Sequence, residues 1–190
     1  MTRSTLKDFF DGLHGYLTDN TPRTLLCIYE STEINYGTEE DCNVEWCRAN
    51  NIPCYNIERS AGCCVNAAGN INIADIRKHR GEFVENRILH DFADWLAGKE
   101  LSVELNNNDI LVDGKKVAAA GGYNLTPDFT WQYTCIQFSI NQDYEVIEHA
   151  CKKLSTKRPG ALSDYGITTD EVVEWCEKWF EDYDGGADND

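Results

Sequence analysis

The sequence predicts an α+β domain, a mixed and largely antiparallel sheet with helices packed on it. Three observations carry this. Residues 101–105 and 131–140 alternate apolar with polar side chains, the period of a half-buried strand. Asp113-Gly114 lies between Ile110-Leu111-Val112 and Lys115-Lys116-Val117. That pair signals a two-residue hairpin, because Gly reaches positive φ without penalty and Asp tolerates it. Finally, residues 81–97 and 168–180 carry apolar residues at helical spacing, and each stretch follows a cluster of short strands.

Taken in order, Leu6, Phe9, Phe10, Leu13 and Leu17 mark a helix over 4–17, broken by Thr21-Pro22. Residues 25–29 read as a short buried strand, and Ile34 and Tyr36 as an extended piece ending at Gly37. Val44, Trp46 and Cys47 mark a short helix with Asp41 as its N-cap, closed by Asn50-Asn51. Residues 52–57 start extended, since the residue before Pro53 avoids the α region. Residues 59–70 are small and read as a loop, and Ile71 and Ile73 as a half-buried strand. In the helix over 81–97, Val84, Ile88, Phe92, Trp95 and Leu96 form one face and Gly98 the C-cap. The hairpin returns through Lys116 into an alanine run. Residues 145–154 read as a helix and Lys157-Arg158-Pro159-Gly160 as a turn. Thr168 to Glu171 form a capping box opening a last helix, with Val172, Cys176, Trp179 and Phe180 inward. Residues 1–180 read as one domain, and 181–190 as an acidic, disordered tail.

The chain has 33 acidic against 17 basic residues, a formal charge of −16. That argues against nucleic-acid and anionic-membrane partners, which need Lys and Arg to displace counterions. No apolar run is long enough to span a bilayer. The first residues are too weakly apolar for a signal peptide, so a cytoplasmic protein is expected. The nine cysteines are odd in number and contain no C-x-x-C, which favours buried free thiols over disulfides or zinc. The four histidines show no ligand spacing.

Four places in the chain resemble the catalytic domain of lipoate–protein ligases, the fold shared with biotin–protein ligases and octanoyltransferases. The first is Asp41 to Glu45. The second is Asn51-Ile52-Pro53 with Arg59-Ser60-Ala61-Gly62-Cys63-Cys64 continuing to Gly69-Asn70, similar to R-R-x-S-G-G-G-A-V-Y-H-D-x-G-N. The third is Asn108-Asp109-Ile110 to Lys116, similar to N-D-I-x-x-x-G-x-K, and the fourth is Lys157 to Leu162, similar to K-x-G-x-x-S.

The resemblance implies a loop closing over an acyl-adenylate, with Lys116 countering charge that develops on phosphate and carbonyl oxygens. It implies Arg59, Gly62, Cys63, Cys64, Asn70, Asn108, Asp109 and Lys157 around the substrate or nucleotide, with Asp109 also holding Mg²⁺. A ligase would need ATP and Mg²⁺; a transferase accepting an activated acyl group would need neither. Expected partners are an acyl or acyl-adenylate small molecule and an acceptor carrier protein or accessory subunit. Carrier domains of this family are typically acidic, so a −16 chain would have to present a basic patch, for which Arg77-Lys78-His79-Arg80 is the candidate. The more ordinary reading of that run is a solvated turn.

The chain also departs from the pattern. The arginine pair falls on Asn56 and Ile57, the three glycines on Ser60-Ala61-Gly62, and the H-D on Asn66-Ala67. The S-G-S-A after the lysine is Ala118-Ala119-Ala120-Gly121, and the downstream H-G-T is Gln132-Tyr133-Thr134. Cys151 falls roughly where an octanoyltransferase carries its nucleophile, but its neighbours read as a helix face; Cys63 and Cys64 fall inside the presumed ligand loop. Besides an acyl transferase or ligase, the sequence therefore allows a binding protein that keeps the fold without the chemistry. A weaker alternative is an acidic decoy for a basic protein.

Overall fold

The computed structural model describes residues 2–4, 23–57, 62–78, 84–125, 128, 130–153 and 156–185. The helix expected over 4–17 lies outside these beyond Ser4, as do Arg59, His79, Arg80 and residues 186–190.

In chain order the described strands are β1 (Thr2–Ser4), β2 (Arg23–Ile28), β3 (Glu33–Tyr36), β4 (Cys54–Asn56), β5 (Cys63–Asn66) and β6 (Ile71–Lys78). They continue with β7 (Val103–Asn106), β8 (Asp109–Val112), β9 (Lys115–Asn124), β10 (Trp131–Phe138) and β11 (Arg158–Pro159). The helices are α1 (Val44–Ala49), α2 (Val84–Ala97), α3 (Tyr144–Ala150) and α4 (Thr169–Gly185).

A large sheet runs β1-β2-β6-β10-β9-β8-β7, with β11 added alongside β9. All its pairings are antiparallel except β1 with β2 and β11 with β9. A small sheet, β4-β3-β5, lies over one face: Tyr55 packs on the cluster of Leu25, Tyr29 and Ile76, and Gln137 hydrogen-bonds Asn66. Helices α2 and α4 cover the other face. There Ile88, Phe92 and Leu96 meet Leu26, Ile71, Ile73, Ile136 and Phe138, with Val172, Val173, Cys176 and Phe180 from α4. The back of the small sheet packs on α1 and α3 through Ile34, Val65, Cys42, Cys47, Val146 and Ala150.

The hairpin folds as its turn chemistry requires. Asp113 and Gly114 both take positive φ, 49° and 73°. The capping box also forms: Thr168 N–H donates to Glu171 Oε2 at 2.9 Å, and Glu171 N–H to Thr168 Oγ1 at 3.3 Å.

Five local expectations are corrected. Residues 63–66 are a strand within the stretch read as a loop, held by pairing with β3. Asn43, not Asp41, caps α1, its side chain accepting from Trp46 N–H; Asp41 instead takes hydrogen bonds from Thr38 and Lys153. Arg158–Pro159 pairs in parallel with Lys115–Lys116 where a simple turn was expected. Helix α4 continues past Phe180 to Gly185, into the segment read as tail. Finally, β6 is buried on both faces, not one. Its buried charged residues, Asp75 and Arg77, are therefore paired. Asp75 accepts from Thr24 Oγ1 at 2.6 Å and forms an ion pair with Arg77, whose guanidinium lies 4.5 Å over the Tyr183 ring. Arg77 thus belongs to the interior, not to a basic surface patch.

No helix among the described residues is long and apolar enough to cross a membrane. Phe92 joins three layers. Its ring lies 4.7 Å from Phe138 of β10, 4.9 Å from Trp175 of α4, and 5.2 Å from Trp95 of its own helix. Phe92→Ala is expected to destabilise the protein by about 3–5 kcal/mol, read as a lower urea midpoint at unchanged slope. A loss under about 1 kcal/mol would mean that the layers repack around the gap.

Candidate functional site

Cross-strand register builds the site on the sheet face turned toward the small sheet. Asp109, Ala119, Gln137, Asn72 and Cys27 stand directly opposite one another across β8, β9, β10, β6 and β2. Opposed residues share a face, so these five form one row. The next row contains Gly121, Cys135, Ala74 and Leu25. A Cβ at Gly121 would meet nothing within 4 Å, so the floor is open there.

Lys116 reaches this face through a bulge. Ile110 pairs with Ala118 but Leu111 pairs with Lys116, leaving Val117 as an extra residue on β9. Val117 and Ala118 both point into the helix-side core, and Lys116 turns to the face of Asp109. Its ammonium lies 2.9 Å from Asp109 Oδ1. Lys157 Nζ approaches the other oxygen, Oδ2, at 2.6 Å and also donates to the Asn106 carbonyl at 3.2 Å. Lys157 is brought there by β11, whose end is clamped by Gly160 N–H donating to Lys116 O at 2.8 Å. A Cβ on Gly160 would come within 2.6 Å of Lys115 Cβ, so only glycine permits this approach.

Burial pushes the Asp109 carboxyl up, but hydrogen bonds from Lys157 and Lys116 outweigh it and hold the group below its ordinary value. The carboxylate is thus a bridge between two ammonium groups. Both of its oxygens are engaged. Among the described residues no group of three or more His, Cys, Asp or Glu is arranged to hold a metal ion. The donor set as it stands does not fit Mg²⁺ at Asp109.

The other residues expected at the site are spread around it. Gly62 opens β5 at φ 93°, its carbonyl accepting from Gly37 N–H at 3.0 Å. Cys63 and Cys64 alternate across β5. Cys63 joins the cluster behind the small sheet, while Cys64 shares the inner face with Asn66. Asn70 is fully buried and acts as a strut, its Oδ1 accepting from Asn141 N–H at 2.8 Å. Asn108 is exposed in the β7–β8 turn and contributes its backbone carbonyl to Ala120 N–H. Arg59 lies outside the described residues.

Sequence reasoning missed the polar layer between the sheets. Gln137 Nε2 donates to Asn66 Oδ1 at 2.8 Å, and Asn66 Nδ2 to Asn35 Oδ1 at 2.8 Å. Asn72 Nδ2 donates to the Tyr29 hydroxyl at 2.7 Å. Glu33 lies on the same face of β3 as Asn35, opposite Asn66, and burial raises its carboxyl. The available signal was a polar residue beside a β-branched one in each strand: Glu33 and Asn35 about Ile34, Asn66 after Val65, and Gln137 after Ile136.

All nine cysteines are free thiols. Behind the small sheet, Cys42 and Cys47 have sulfurs 3.9 Å apart, and burial pushes the Cys47 thiol up to about 12. A hydrogen bond between the Cys63 and Cys151 side chains raises Cys63 and lowers Cys151. Cys151, half-buried and lowered, is expected to be alkylated first by iodoacetamide at pH 8, and Cys47 only after unfolding. Peptide mass spectrometry reads the order, and early labelling of Cys47 would contradict it.

The Asp109 bridge predicts a pH dependence. A carboxylate lowered in the folded state stabilises the fold above its unfolded value, ~3.9, and that stabilisation is lost as pH falls through the folded one. Between about pH 5 and 3, wild type should lose more stability than Asp109→Asn, measured by urea unfolding at each pH. Equal losses would mean that the bridge contributes nothing to folding.

No protein-family model matches the sequence, and no curated protein is similar enough in sequence to count as a relative. In three dimensions the chain is similar to Ta0514 of T. acidophilum, a candidate lipoate protein ligase with lipoic acid bound (TM-score 0.71, 14% identity, covering 95% of this chain and 83% of that one). It is similar to a lipoate-protein ligase A bound with ATP (TM-score 0.70, 14% identity, covering 92% and 79%). It is also similar to the bi-partite lipoate protein ligase of Thermoplasma acidophilum, described with its E2 lipoyl domain (TM-score 0.69, 14% identity, covering 92% and 76%). At such identity the likeness is one of backbone architecture, and with it the mixed sheets and their helices take their place: the chain has the fold of the lipoate–protein ligase catalytic domain.

Proposed function

We propose that the chain binds an activated carboxylic group, lipoyl, octanoyl or similar, with its carbonyl end at Lys116, and passes it to an amine on a carrier protein. The observation that carries this reading is the pair of ammonium groups, Lys116 and Lys157, set on one carboxylate at the rim of an open floor. In the transfer, the neutral acceptor amine attacks the acyl carbon, the amide C–N bond forms, the bond to the leaving group breaks, and the amine's surplus proton passes to the departing anion or to solvent. Lys116 counters the negative charge that develops on the carbonyl or phosphoryl oxygen. Asp109 acts as a positioning residue, holding both lysines until the substrate's own anionic oxygens compete for them.

ATP is the activating group that the fold suggests. The two lysines suit a phosphate, but Asp109 cancels one of their charges, and no arginine pair stands at Asn56 and Ile57. An acyl group activated elsewhere therefore fits the residues at least as well, and no step here depends on Mg²⁺. An accessory subunit would suit a ligase form. Nine free thiols support placing the protein in the cytoplasm.

One observation favours a second reading, a binding protein that has lost the chemistry: the chain of hydrogen bonds from Gln137 through Asn66 to Asn35 already ties the two sheets together. A thermal-shift series separates the two, using octanoate, lipoate, biotin, ATP-Mg²⁺ and a non-hydrolysable acyl-adenylate on wild type and Lys116→Ala. A ligand at a hundred times its dissociation constant adds about 2.7 kcal/mol. Stabilisation lost in Lys116→Ala is the expected result. No shift with any of them, on a folded protein, favours the second reading.

A further inference from the structure

Across the floor from Lys116, two buried acceptors between the sheets have no donor. Glu33 Oε2 and Asn72 Oδ1 are both shut off from solvent and accept no hydrogen bond. Asn72 is 4% exposed, and its amide nitrogen is committed to the Tyr29 hydroxyl. Glu33 is close enough to Tyr29, Cys27 and Tyr55 for its charge to oppose theirs. Among the described residues no cation pairs with it. Buried polar atoms are almost always satisfied, and two unsatisfied acceptors on residues that both neighbour Tyr29 mark the place of a missing donor. The neighbouring Asn35, Asn66 and Gln137 are bonded to one another.

Asn72 lies in the same row as Asp109, three strands away, about 14 Å at ordinary strand spacing. Gln137 stands between them in that row, tied upward to Asn66. The adjacent row passes over Gly121, where the space is open. A ligand with one end at Lys116 and the other between Glu33 and Asn72 would be an extended chain crossing those strands.

We propose that the acid held at Lys116 carries an N–H donor, an amine or amide, at its far end, and that Glu33 and Asn72 accept from it. This rests on the carboxylic-group reading above and narrows its substrate class. A purely aliphatic tail would leave both acceptors unpaired, and a site built to hydrogen-bond a group discriminates strongly against analogues that lack it.

The test uses the full chain and three acids of equal length: octanoate, its ω-amino analogue and its ω-carboxamide analogue. Each is titrated by calorimetry and thermal shift against wild type, Lys116→Ala, Glu33→Gln and Glu33→Leu. Donor-ended acids are expected to bind at least tenfold tighter than octanoate to wild type. Glu33→Gln should erase the advantage of the amine over the amide, and Glu33→Leu should bring octanoate level with both. Circular dichroism and the ligand-free melting temperature establish that each variant is folded. If Glu33→Leu does not fold, the wild-type ranking alone decides. Acids that bind in a Lys116-dependent way but favour octanoate overturn the donor-ended substrate and leave the carboxylic reading standing. No binding by any acid overturns both.

Discussion

Strand β6 carries protein on both of its faces, and this double burial constrains everything around it. Its odd-numbered residues face the helices and its even-numbered ones face the small sheet, so each polar side chain on it needs an internal partner. On the helix side that need is met by ionic pairing of Asp75 with Arg77, supported by Thr24 and by the aromatic end of α4. A pair of this kind contributes little net stability against an apolar alternative, but loss of either member leaves a buried charge uncompensated. On the other side Asn72 lies beside the apolar cluster of Leu25, Cys27, Tyr29 and Ile76, and only its amide nitrogen finds a partner.

The parts of the fold that sequence made legible are those whose chemistry is local. The Asp113-Gly114 turn needs two positive φ values, the capping box needs reciprocal bonds three residues apart, and the faces of α2 and α4 follow a single period. What was not legible depends on distant partners. Residues 63–66 hold too many small side chains to read as a strand alone, and become one because β3 offers them a ladder. Ile71 and Ile73 suggest one buried face; the second is created by a small sheet that arrives from elsewhere in the chain. The same holds for Asn43 over Asp41 as a cap, since Lys153, more than a hundred residues later, draws Asp41 away.

The site divides along the same line. Its motif residues, Asp109, Lys116 and Lys157, were visible as a pattern, and the ladder of the hairpin brings two of them together. Glu33, Asn72, Gln137, Asn66 and Asn35 belong to no motif, and only the stacking of two sheets gives them a common surroundings. Within the stretch that resembles the family's loop, residues 63–66 form a strand whose alternation sends one cysteine to each side.

The bulge at Val117 has a consequence for how this chain can vary. Lys116 and Ala119 occupy one face although they are three residues apart, an odd separation that a regular strand would split between two faces. The orientation of the lysine is therefore a matter of parity. One residue more between Lys116 and Ala119, with the bulge retained, would rotate the ammonium into the aromatic-rich layer beneath; removal of the extra residue, which abolishes the bulge, would preserve its direction. The lysine's direction therefore follows the bulge: a one-residue change that keeps the bulge turns it from its carboxylate, whereas one that abolishes the bulge leaves it in place.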